Sequence, residues 1–241
     1  MQFEDKSVII TGAGKGIGRA TAQLLAARGA KVVAISRTQS DLDSLTAETG
    51  ATGIAADLST AKGARDAMAQ AGTCDFLVNC AGTNVLESLL DMTDEGYDMV
   101  MDINLRTTLV CAQEFARARI AAGGGGAIVN VTSIAGHRGF PDHVVYAASK
   151  AGLEGATRVM AKELGPHGIR VTAIAPTVTM TELAAAAWSD PAKSAPMMSR
   201  HPMGRFAEAE DVARSIALLM SDDAGMVTGA VLPLDGGFLA V

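Results

Sequence analysis

A tyrosine and a lysine stand four positions apart in the stretch YAASK, as Tyr146 and Lys150. On a helix this spacing puts both side chains on one face. A phenol has a reference pKa of about 10 and is a poor base at neutral pH. An ammonium group about 4 Å away contributes roughly 4 kcal/mol at an effective dielectric constant of about 20, enough to lower the phenol pKa by up to about three units before desolvation is subtracted. The pair therefore points to proton transfer, although such a pair taken alone is more often structural.

A glycine-rich turn, VIITGAGKGIG, follows the first apolar run of the chain, with glycines at positions 12, 14, 16 and 18. Glycines permit a tight turn and close approach of the backbone to a pyrophosphate, and the N-terminus of the following helix supplies unpaired N–H donors and a partial positive charge. A glycine pattern alone is weak, but a strand before it and a helix after it provide the context that a dinucleotide site requires. The turn therefore predicts a dinucleotide-binding loop.

Short apolar runs alternate with helix-like segments and position these residues. Runs that are hydrophobic throughout indicate strands buried on both faces, and strand–helix alternation predicts right-handed crossovers. The fold class expected is α/β, a single-domain Rossmann-like doubly wound parallel sheet of about seven strands with helices on both faces. One domain spans residues 1–241, with an irregular substrate loop at about 177–204. The predicted strands are 7–11, 31–35, 53–56, 75–79, 127–133, 170–175 and 230–234, and helical segments include 16–28, 41–48 and 61–71.

Composition excludes several classes of function. The 241 residues are 49% hydrophobic, and the net charge of −6 argues against a nucleic-acid partner, which would need a basic surface. The N-terminus does not resemble a signal peptide, and no apolar run is long enough to span a bilayer. The three cysteines, Cys74, Cys80 and Cys111, lack the spacing of metal ligands, so we expect reduced thiols, a cytoplasmic protein and no metal site.

Several further elements follow one another along the chain. VNCAG contains Asn79, Ala81 and Gly82, and Asp57-Leu58 follows the third predicted strand. MDINL contains Asn104, and Ser133 ends the fifth predicted strand thirteen residues before the tyrosine. With a turn spaced Gly-x-x-x-Gly-x-Gly, this order resembles the short-chain dehydrogenase/reductase family.

The resemblance implies roles for four catalytic residues. Tyr146 donates a proton to a carbonyl oxygen during reduction or removes it during oxidation, and Ser133 hydrogen-bonds that oxygen. Lys150 tunes Tyr146 and holds the nicotinamide ribose. Asn104 distorts its helix and supports a water that resupplies protons through Lys150. The cofactor itself carries out the hydride chemistry.

The second predicted strand ends in Ser36-Arg37, where an acid would hold the free ribose hydroxyls of NAD. Arginine at this place meets a 2′-phosphate, Lys15 can approach the same phosphate, and the nearest acid, Asp41, lies further into the loop. We therefore expect NADP(H) as the cofactor. The expected cofactor-binding residues are Thr11, Gly12, Gly14, Lys15, Gly16, Ile17, Gly18, Ser36, Arg37, Asp57, Leu58, Asn79, Ala81, Gly82, Tyr146, Lys150, Pro176, Val178, Thr179 and Thr181.

Other stretches, among them VVAISRTQSDLDSL, PTVTMT and WSDPAK, look like the L-xylulose (dicarbonyl) reductase branch of the family. The resemblance implies reduction of small α-dicarbonyls and ketoses such as L-xylulose with NADPH, a substrate site formed by Ser133, His143, Tyr146 and Trp188, and a homotetramer. An oxidative polyol dehydrogenase and a 3-oxoacyl thioester reductase with the same catalytic residues remain alternatives. Many members have glycine after Pro176, where this chain has Thr177. Ile134 is apolar where a sugar reductase would favour a hydrogen-bonding group, and we interpret His137, His167 and His201 as loop residues without acidic neighbours.

Overall fold

The computed structural model describes residues 2–241, apart from the side chains of Leu183, Ala186 and Ala187. Nine strands lie within this range: β1 (Ser7–Thr11), β2 (Lys31–Ser36), β3 (Thr52–Ala55), β4 (Phe76–Asn79), β5 (Gly126–Val131), β6 (Ile169–Pro176), β7 (Thr179–Met180), β8 (Ala207–Glu208) and β9 (Val231–Leu234). Seven of them form a parallel sheet in the order β3-β2-β1-β4-β5-β6-β9, and β7 pairs with β8. The predicted strands are confirmed, with shifts of one or two residues at their ends.

Helices connect the strands and cover both faces of the sheet. In the described range they are α1 (Gly16–Ala27), α2 (Gln39–Thr49), α3 (Ala61–Ala71), α4 (Asp94–Met101), α5 (Thr107–Ala121), α6 (Val144–Leu164), α7 (Glu182–Ala187), α8 (Pro191–Met198) and α9 (Ala209–Met220). A π-helical turn, Asp102–Arg106, joins α4 to α5. None of the helices described between residues 2 and 241 has the length and apolar character needed to cross a membrane.

The sheet is buried on both faces, as the continuous apolar runs predict. In β1, Val8 and Ile10 belong to the core beneath α1 and α9, whereas Ile9 belongs to the opposite core beneath α3 and α5. The side chains alternate between the two cores because successive residues of a strand point to opposite faces. All three are fully buried, so both faces of the sheet are covered. A Rossmann-like, doubly wound α/β fold follows from this burial.

The strand order reverses between β1 and β4, which are neighbours in the sheet. In open α/β sheets, ligands bind beyond the carboxyl ends of the strands at such a reversal. The segments that follow β1, β4 and β5 lie at this edge and contain the glycine turn, the VNCAG element and Ser133. The topology therefore brings the predicted site residues to one edge.

The prediction of an irregular loop at 177–204 is wrong, because this segment contains β7, α7 and α8. The Thr181 hydroxyl caps α7 by accepting the N–H of Ala184 at 3.2 Å. The Asp190 carboxylate caps α8 by accepting the N–H of Ala192 at 2.9 Å, and Pro191 occupies the first turn. Side-chain caps followed by helix-forming residues are local signals for helix starts, so the two helices are encoded in the sequence.

Candidate active site

Two clefts adjoin at the carboxyl edge of the sheet. The long cleft, of about 650 Å³, runs from the glycine turn to Arg37 and Asp57. The short cleft, of about 300 Å³, is lined by Ser133, Tyr146 and Lys150. The two clefts share part of their walls, formed by Ile17, Cys80, Gly82, Thr83 and Thr181. An extended molecule in the long cleft can therefore reach the reactive side chains of the short one.

Close packing requires glycine in the turn after β1. Gly12 has a φ of 70°, and a Cβ there would lie 2.8 Å from the Cα of Ala81. A Cβ on Gly18 would lie 2.2 Å from the carbonyl oxygen of Gly12. No side chain caps the N-terminus of α1 at Lys15, and its first turn contains no acidic residue. The turn thus fits the phosphates of a dinucleotide, because its N–H groups and helix dipole favour an anion.

Thr11 acts from behind the cleft wall. Its side chain is buried, and its hydroxyl accepts the backbone N–H groups of Cys80 and Ala81, both at 3.1 Å. Gly14 is also behind the wall, since a Cβ there would lie 2.5 Å from the Ser36 hydroxyl oxygen. These expected cofactor-binding residues hold the loops in place and do not line either cleft.

Asn79 likewise points into the interior. Its amide nitrogen donates to the Asn130 side-chain oxygen at 2.9 Å, and the Asn130 amide nitrogen donates to the Thr157 hydroxyl at 2.9 Å. All three side chains are buried. This chain of hydrogen bonds ties β4 to β5 and to α6, the helix that contains Tyr146 and Lys150.

The far end of the long cleft contains charges of both signs. Arg37 is exposed, and the Lys15 ammonium nitrogen lies 3.8 Å from a carboxylate oxygen of Asp41. The expectation that Asp41 lies too far into the loop to oppose the phosphate is wrong: it stands in the first turn of α2, beside Gly14, and lines the same cleft. The Ser59 backbone N–H lowers the pKa of Asp57, as do the Ser59 hydroxyl and the charge of Arg37.

The short cleft is built from β5 and α6. Ser133 follows β5 in an extended conformation, and its hydroxyl accepts the N–H of Ala135 at 3.1 Å. Tyr146 lies in the first turn of α6, and Lys150 lies one turn later on the same face. The Lys150 ammonium donates a hydrogen bond to the Val131 carbonyl at 3.0 Å and lies 5.6 Å from the centroid of the Tyr146 ring.

Burial has the largest influence on the pKa values of Tyr146 and Lys150. It raises the pKa of Tyr146, and a hydrogen bond with Ser133 opposes this only in part. Burial also lowers the pKa of Lys150 to about 8. The spacing of the two residues predicts that Lys150 lowers the phenol pKa before desolvation is subtracted; in the folded chain desolvation is the largest influence, and the pKa of Tyr146 is raised. The phenol stays protonated at neutral pH, the form that donates a proton.

Asn104 occupies the π-helical turn between α4 and α5, so the predicted distortion of its helix is confirmed. Its side chain is completely buried. The amide oxygen accepts the N–H of Thr83 at 2.8 Å, and the amide nitrogen donates to the Thr83 carbonyl at 2.9 Å and to the Ser149 hydroxyl at 3.1 Å. Asn104 thus fastens the loop after β4 to α6 beside Lys150.

Of the four expected substrate residues, Ser133 and Tyr146 line the short cleft, whereas His143 and Trp188 lie outside the walls of both clefts. The His143 ring lies 5.9 Å from the Tyr146 ring, and its Nδ1 lies 2.6 Å from the Pro141 carbonyl oxygen. Because a carbonyl only accepts, Nδ1 donates in this contact, and in the neutral imidazole Nε2 is then an acceptor. Trp188 packs against Phe206, with 5.4 Å between ring centroids.

The segment after β6 forms the opposite wall of the short cleft. Pro176, Thr179 and Thr181 line it as expected, and Thr177 lines it as well. Val178 does not line the cleft, and its carbonyl accepts the N–H of Ala207 at 3.1 Å.

Six residues of the short cleft are missing from the sequence-based set: Val131, Thr132, Thr177, Cys80, Thr83 and Asn84. The last three belong to the loop after β4. Their place directly after β4 is a signal, because that loop follows the strand at the reversal of strand order. Burial raises the pKa of the Cys80 thiol to about 12, which keeps it neutral and a poor nucleophile. Ile134 is buried and does not line the cleft, so its apolar character places no limit on a polar substrate.

The interpretation of His137 is also wrong. Its Nε2 lies 3.0 Å from a carboxylate oxygen of the buried Glu154, which α6 presents to the turn after Ser133. Burial raises the pKa of Glu154, and the nearby His137 opposes this shift. The contact depends on two segments that the sequence separates by a loop and more than two helical turns.

Comparisons with known proteins agree with this geometry. The family model described as enoyl-(acyl carrier protein) reductase matches residues 12–239. An L-xylulose reductase from Bos taurus is 48% identical over 241 residues, covering 100% of this chain and 99% of the relative. A solved structure described as a short chain dehydrogenase/reductase family protein has a TM-score of 0.93 at 36% identity and covers 100% of both chains.

A second solved structure, from Agrobacterium tumefaciens and titled as containing bound NADP, has a TM-score of 0.93 at 34% identity, covering 100% of this chain and 98% of that one. The family model and the curated relative both indicate a reductase. The chain belongs to the short-chain dehydrogenase/reductase family of oxidoreductases.

Proposed function

We propose that this chain is an NADPH-dependent carbonyl reductase that acts on small α-dicarbonyls and on ketoses such as L-xylulose. The observation that carries the proposal is the convergence of Ser133, Tyr146 and Lys150 around a short cleft that shares a wall with the long cleft. The name of the Bos taurus relative supports the same substrate class.

The residues divide the reaction between them. The nicotinamide supplies the hydride that reaches the carbonyl carbon. Tyr146 donates its phenolic proton to the carbonyl oxygen, and its raised pKa keeps that proton available. Ser133 donates a hydrogen bond to the same oxygen and stabilises the negative charge that develops there. The Lys150 ammonium stabilises the phenolate that remains, holds the nicotinamide ribose and passes on protons from a water supported by Asn104.

Charges at the far end of the long cleft support NADPH over NADH. Lys15 and Arg37 are positioned to meet a 2′-phosphate, and each charge-assisted hydrogen bond contributes about 1.5–3 kcal/mol. Asp41 reduces this preference, since its carboxylate lies 3.8 Å from the Lys15 ammonium. Arg37 is exposed and therefore remains the main cation available to the phosphate.

Polar side chains in the short cleft support a hydroxylated or dicarbonyl substrate. Thr83, Asn84 and Thr179 line it close to Tyr146 and Ser133. A substrate hydroxyl that is buried in the cleft needs a hydrogen-bond partner, which these side chains can provide. They therefore favour small polar carbonyl compounds over long apolar chains. His143 and Trp188 are proposed to bound the substrate from outside the cleft.

The proposal is tested by following the oxidation of NADPH and NADH in parallel with diacetyl, L-xylulose and an acetoacetyl thioester. NADPH-dependent turnover of the first two is the expected result. Turnover of the thioester alone would assign the chain as a 3-oxoacyl thioester reductase, and preference for NADH with oxidation of polyols would assign it as a polyol dehydrogenase. Tyr146→Phe should abolish turnover and leave NADPH binding unchanged, because the ring is retained and the proton donor is lost.

We further propose a cytoplasmic homotetramer. The edge strand β9 and the chain end present apolar side chains to solvent, with Leu232 37% exposed and Val241 74% exposed. A second copy of the chain would cover them, since edge strands and apolar ends are commonly buried in symmetric assemblies. Sedimentation velocity tests the assembly, and a monomeric profile would remove this part of the proposal.

A further inference from the structure

His201 is a buried titratable residue that the proposed reaction does not use. It is 3% exposed and lies near the end of the segment 177–204. Its Nε2 lies 2.7 Å from the hydroxyl oxygen of Thr177, the first residue of the segment, and its Nδ1 lies 2.9 Å from the Met197 carbonyl oxygen. One imidazole thus joins the two ends of the segment that contains β7, α7 and α8.

The direction of these hydrogen bonds follows from their partners. The Met197 carbonyl only accepts, so the Nδ1 of the imidazole donates to it. In a neutral imidazole the Nε2 then accepts, and the Thr177 hydroxyl donates its proton to it. A single tautomer of His201 therefore fixes the orientation of both the imidazole ring and the Thr177 hydroxyl.

Aromatic rings hold the imidazole in place. The rings of Phe206 and Phe238 lie 5.5 Å and 5.0 Å from it. Phe238 stacks on Phe140 at 6.0 Å, and Phe140 lies 6.0 Å from His143, the neighbour of Tyr146. Because apolar surroundings strengthen a hydrogen bond and make an unpaired donor costly, the contact between His201 and Thr177 is well defined.

Thr177 connects this contact to the short cleft. Thr177 lines the cleft, whereas His201 does not. The Thr177 carbonyl accepts the hydroxyl of Thr179 at 3.0 Å, and its N–H donates to the Leu234 carbonyl at 3.1 Å. Among residues 2–241 the non-glycine positions with positive φ are Asp5 and Asp142, so the backbone at Thr177 does not require glycine. The threonine instead supplies the hydroxyl that His201 binds.

We propose that His201 is a positioning residue that sets the wall of the short cleft through Thr177. The inference rests on the proposed function, in which the short cleft, lined in part by Pro176, Thr177, Thr179 and Thr181, receives the nicotinamide and the substrate. Without the contact, the wall loses its fixed geometry, so the enzyme binds its cofactor and carbonyl substrate more weakly while the chemical step proceeds as before.

The test is a double-mutant cycle of Thr177→Val, His201→Phe and the double variant, with NADPH dissociation constants and steady-state kinetics. Each single change should raise the NADPH dissociation constant and KM about threefold to tenfold, the loss of one neutral hydrogen bond, with little change in kcat. The double variant should be no worse than either single one, because both remove the same contact.

Two matched variants separate positioning from general damage. Thr177→Ser keeps the hydroxyl and should restore wild-type KM. Thr172→Val removes a buried hydroxyl from β6, the strand that ends directly before Thr177. This hydroxyl has no hydrogen-bond partner in the described structure, so the change should leave KM unchanged. If His201→Phe fails to fold, the comparison of Thr177→Val with Thr177→Ser still shows whether the Thr177 hydroxyl sets KM.

Additive losses in the double variant, or a lower melting temperature with wild-type KM in Thr177→Val, would overturn the proposal. A wild type that binds NADPH but reduces no carbonyl would refute the proposed function alone, since the dissociation constants still measure the contact. A wild type that binds neither NADPH nor NADH would overturn both.

Discussion

The Lys150 ammonium donates a hydrogen bond to the Val131 carbonyl at 3.0 Å and lies 5.6 Å from the centroid of the Tyr146 ring. The buried lysine therefore faces the phenol, and its ammonium is hydrogen-bonded to the last residue of β5. Burial lowers its pKa to about 8 and raises that of the phenol. The pair acts as a neutral donor beside a cation that is close to losing its proton at mildly alkaline pH.

The rate of carbonyl reduction should consequently fall as pH rises through about 8, where Lys150 loses its charge. Tyr146 does not set this limit, because its pKa is raised. The measurement is kcat/KM for the carbonyl at saturating reduced cofactor across neutral and alkaline pH, which reports ionisations before the substrate binds. A profile that stays flat well above pH 8 would contradict the assignment.

Replacing Lys150 with Met should stabilise the folded protein at neutral pH while abolishing turnover. The pKa of Lys150 is lowered from 10.5 to about 8, so burying its charge disfavours folding of the wild type by about 3 kcal/mol. The variant avoids this cost but loses the hydrogen bond to Val131, which is worth about 1 kcal/mol. At a pH between these two pKa values, the unfolded chain binds more protons than the folded one. Wild-type stability therefore rises with pH in this range, and the advantage of the variant shrinks. Denaturant unfolding at several pH values measures the difference.

Lys162 provides the control for this prediction, since it is exposed on the same helix. Lys162→Met should not change the dependence of stability on pH across that window. A Lys150→Met variant that is less stable than the wild type at neutral pH would show that the buried charge is compensated by contacts beyond the Val131 carbonyl.

Arg37→Ala should weaken NADPH binding by about tenfold to a hundredfold and leave NADH binding nearly unchanged. One charge-assisted hydrogen bond is worth about 1.5–3 kcal/mol, and about 1.4 kcal/mol corresponds to tenfold in affinity. Asp41→Asn should strengthen NADPH binding, because it removes the acid 3.8 Å from the Lys15 ammonium. Titration of each variant with both cofactors measures the effect.

Lys31→Ala serves as the matched control, because Lys31 is an exposed cation at the opposite end of β2. An equal loss of NADH and NADPH affinity in Arg37→Ala would mean that the arginine supports the adenosine in general and does not read the phosphate.

Thr11→Val should destabilise the protein and weaken cofactor binding together. The hydroxyl accepts the N–H groups of Cys80 and Ala81, and each orphaned buried N–H costs about 1–3 kcal/mol. The loop after β4 shares walls with both clefts, so its displacement alters the cofactor site. Thermal unfolding and NADPH titration measure the two effects. Thr11→Ser keeps the acceptor and should behave like the wild type, and equal behaviour of the two variants would exclude this role.

Much of the fold and part of the site can be predicted from local patterns. Strands buried on both faces produce continuous apolar runs, so β1 and β4 are recognisable without their neighbours. The glycines at 12 and 18 mark a turn that tolerates no side chain, and the four-residue spacing of Tyr146 and Lys150 places them together as soon as α6 forms. Such features depend on backbone geometry over a few residues.

Tertiary structure alone decides the pKa values of the site residues and which residues line the clefts. The pKa of Tyr146 depends on how completely other segments exclude water, and that burial reverses the direction expected from Lys150. The approach of Asp41 to Lys15 and the contact between His201 and Thr177 each join residues about two dozen positions apart. Residue types and spacing along the chain determine the family and the reacting groups, whereas distances across the fold determine their charges and their geometry.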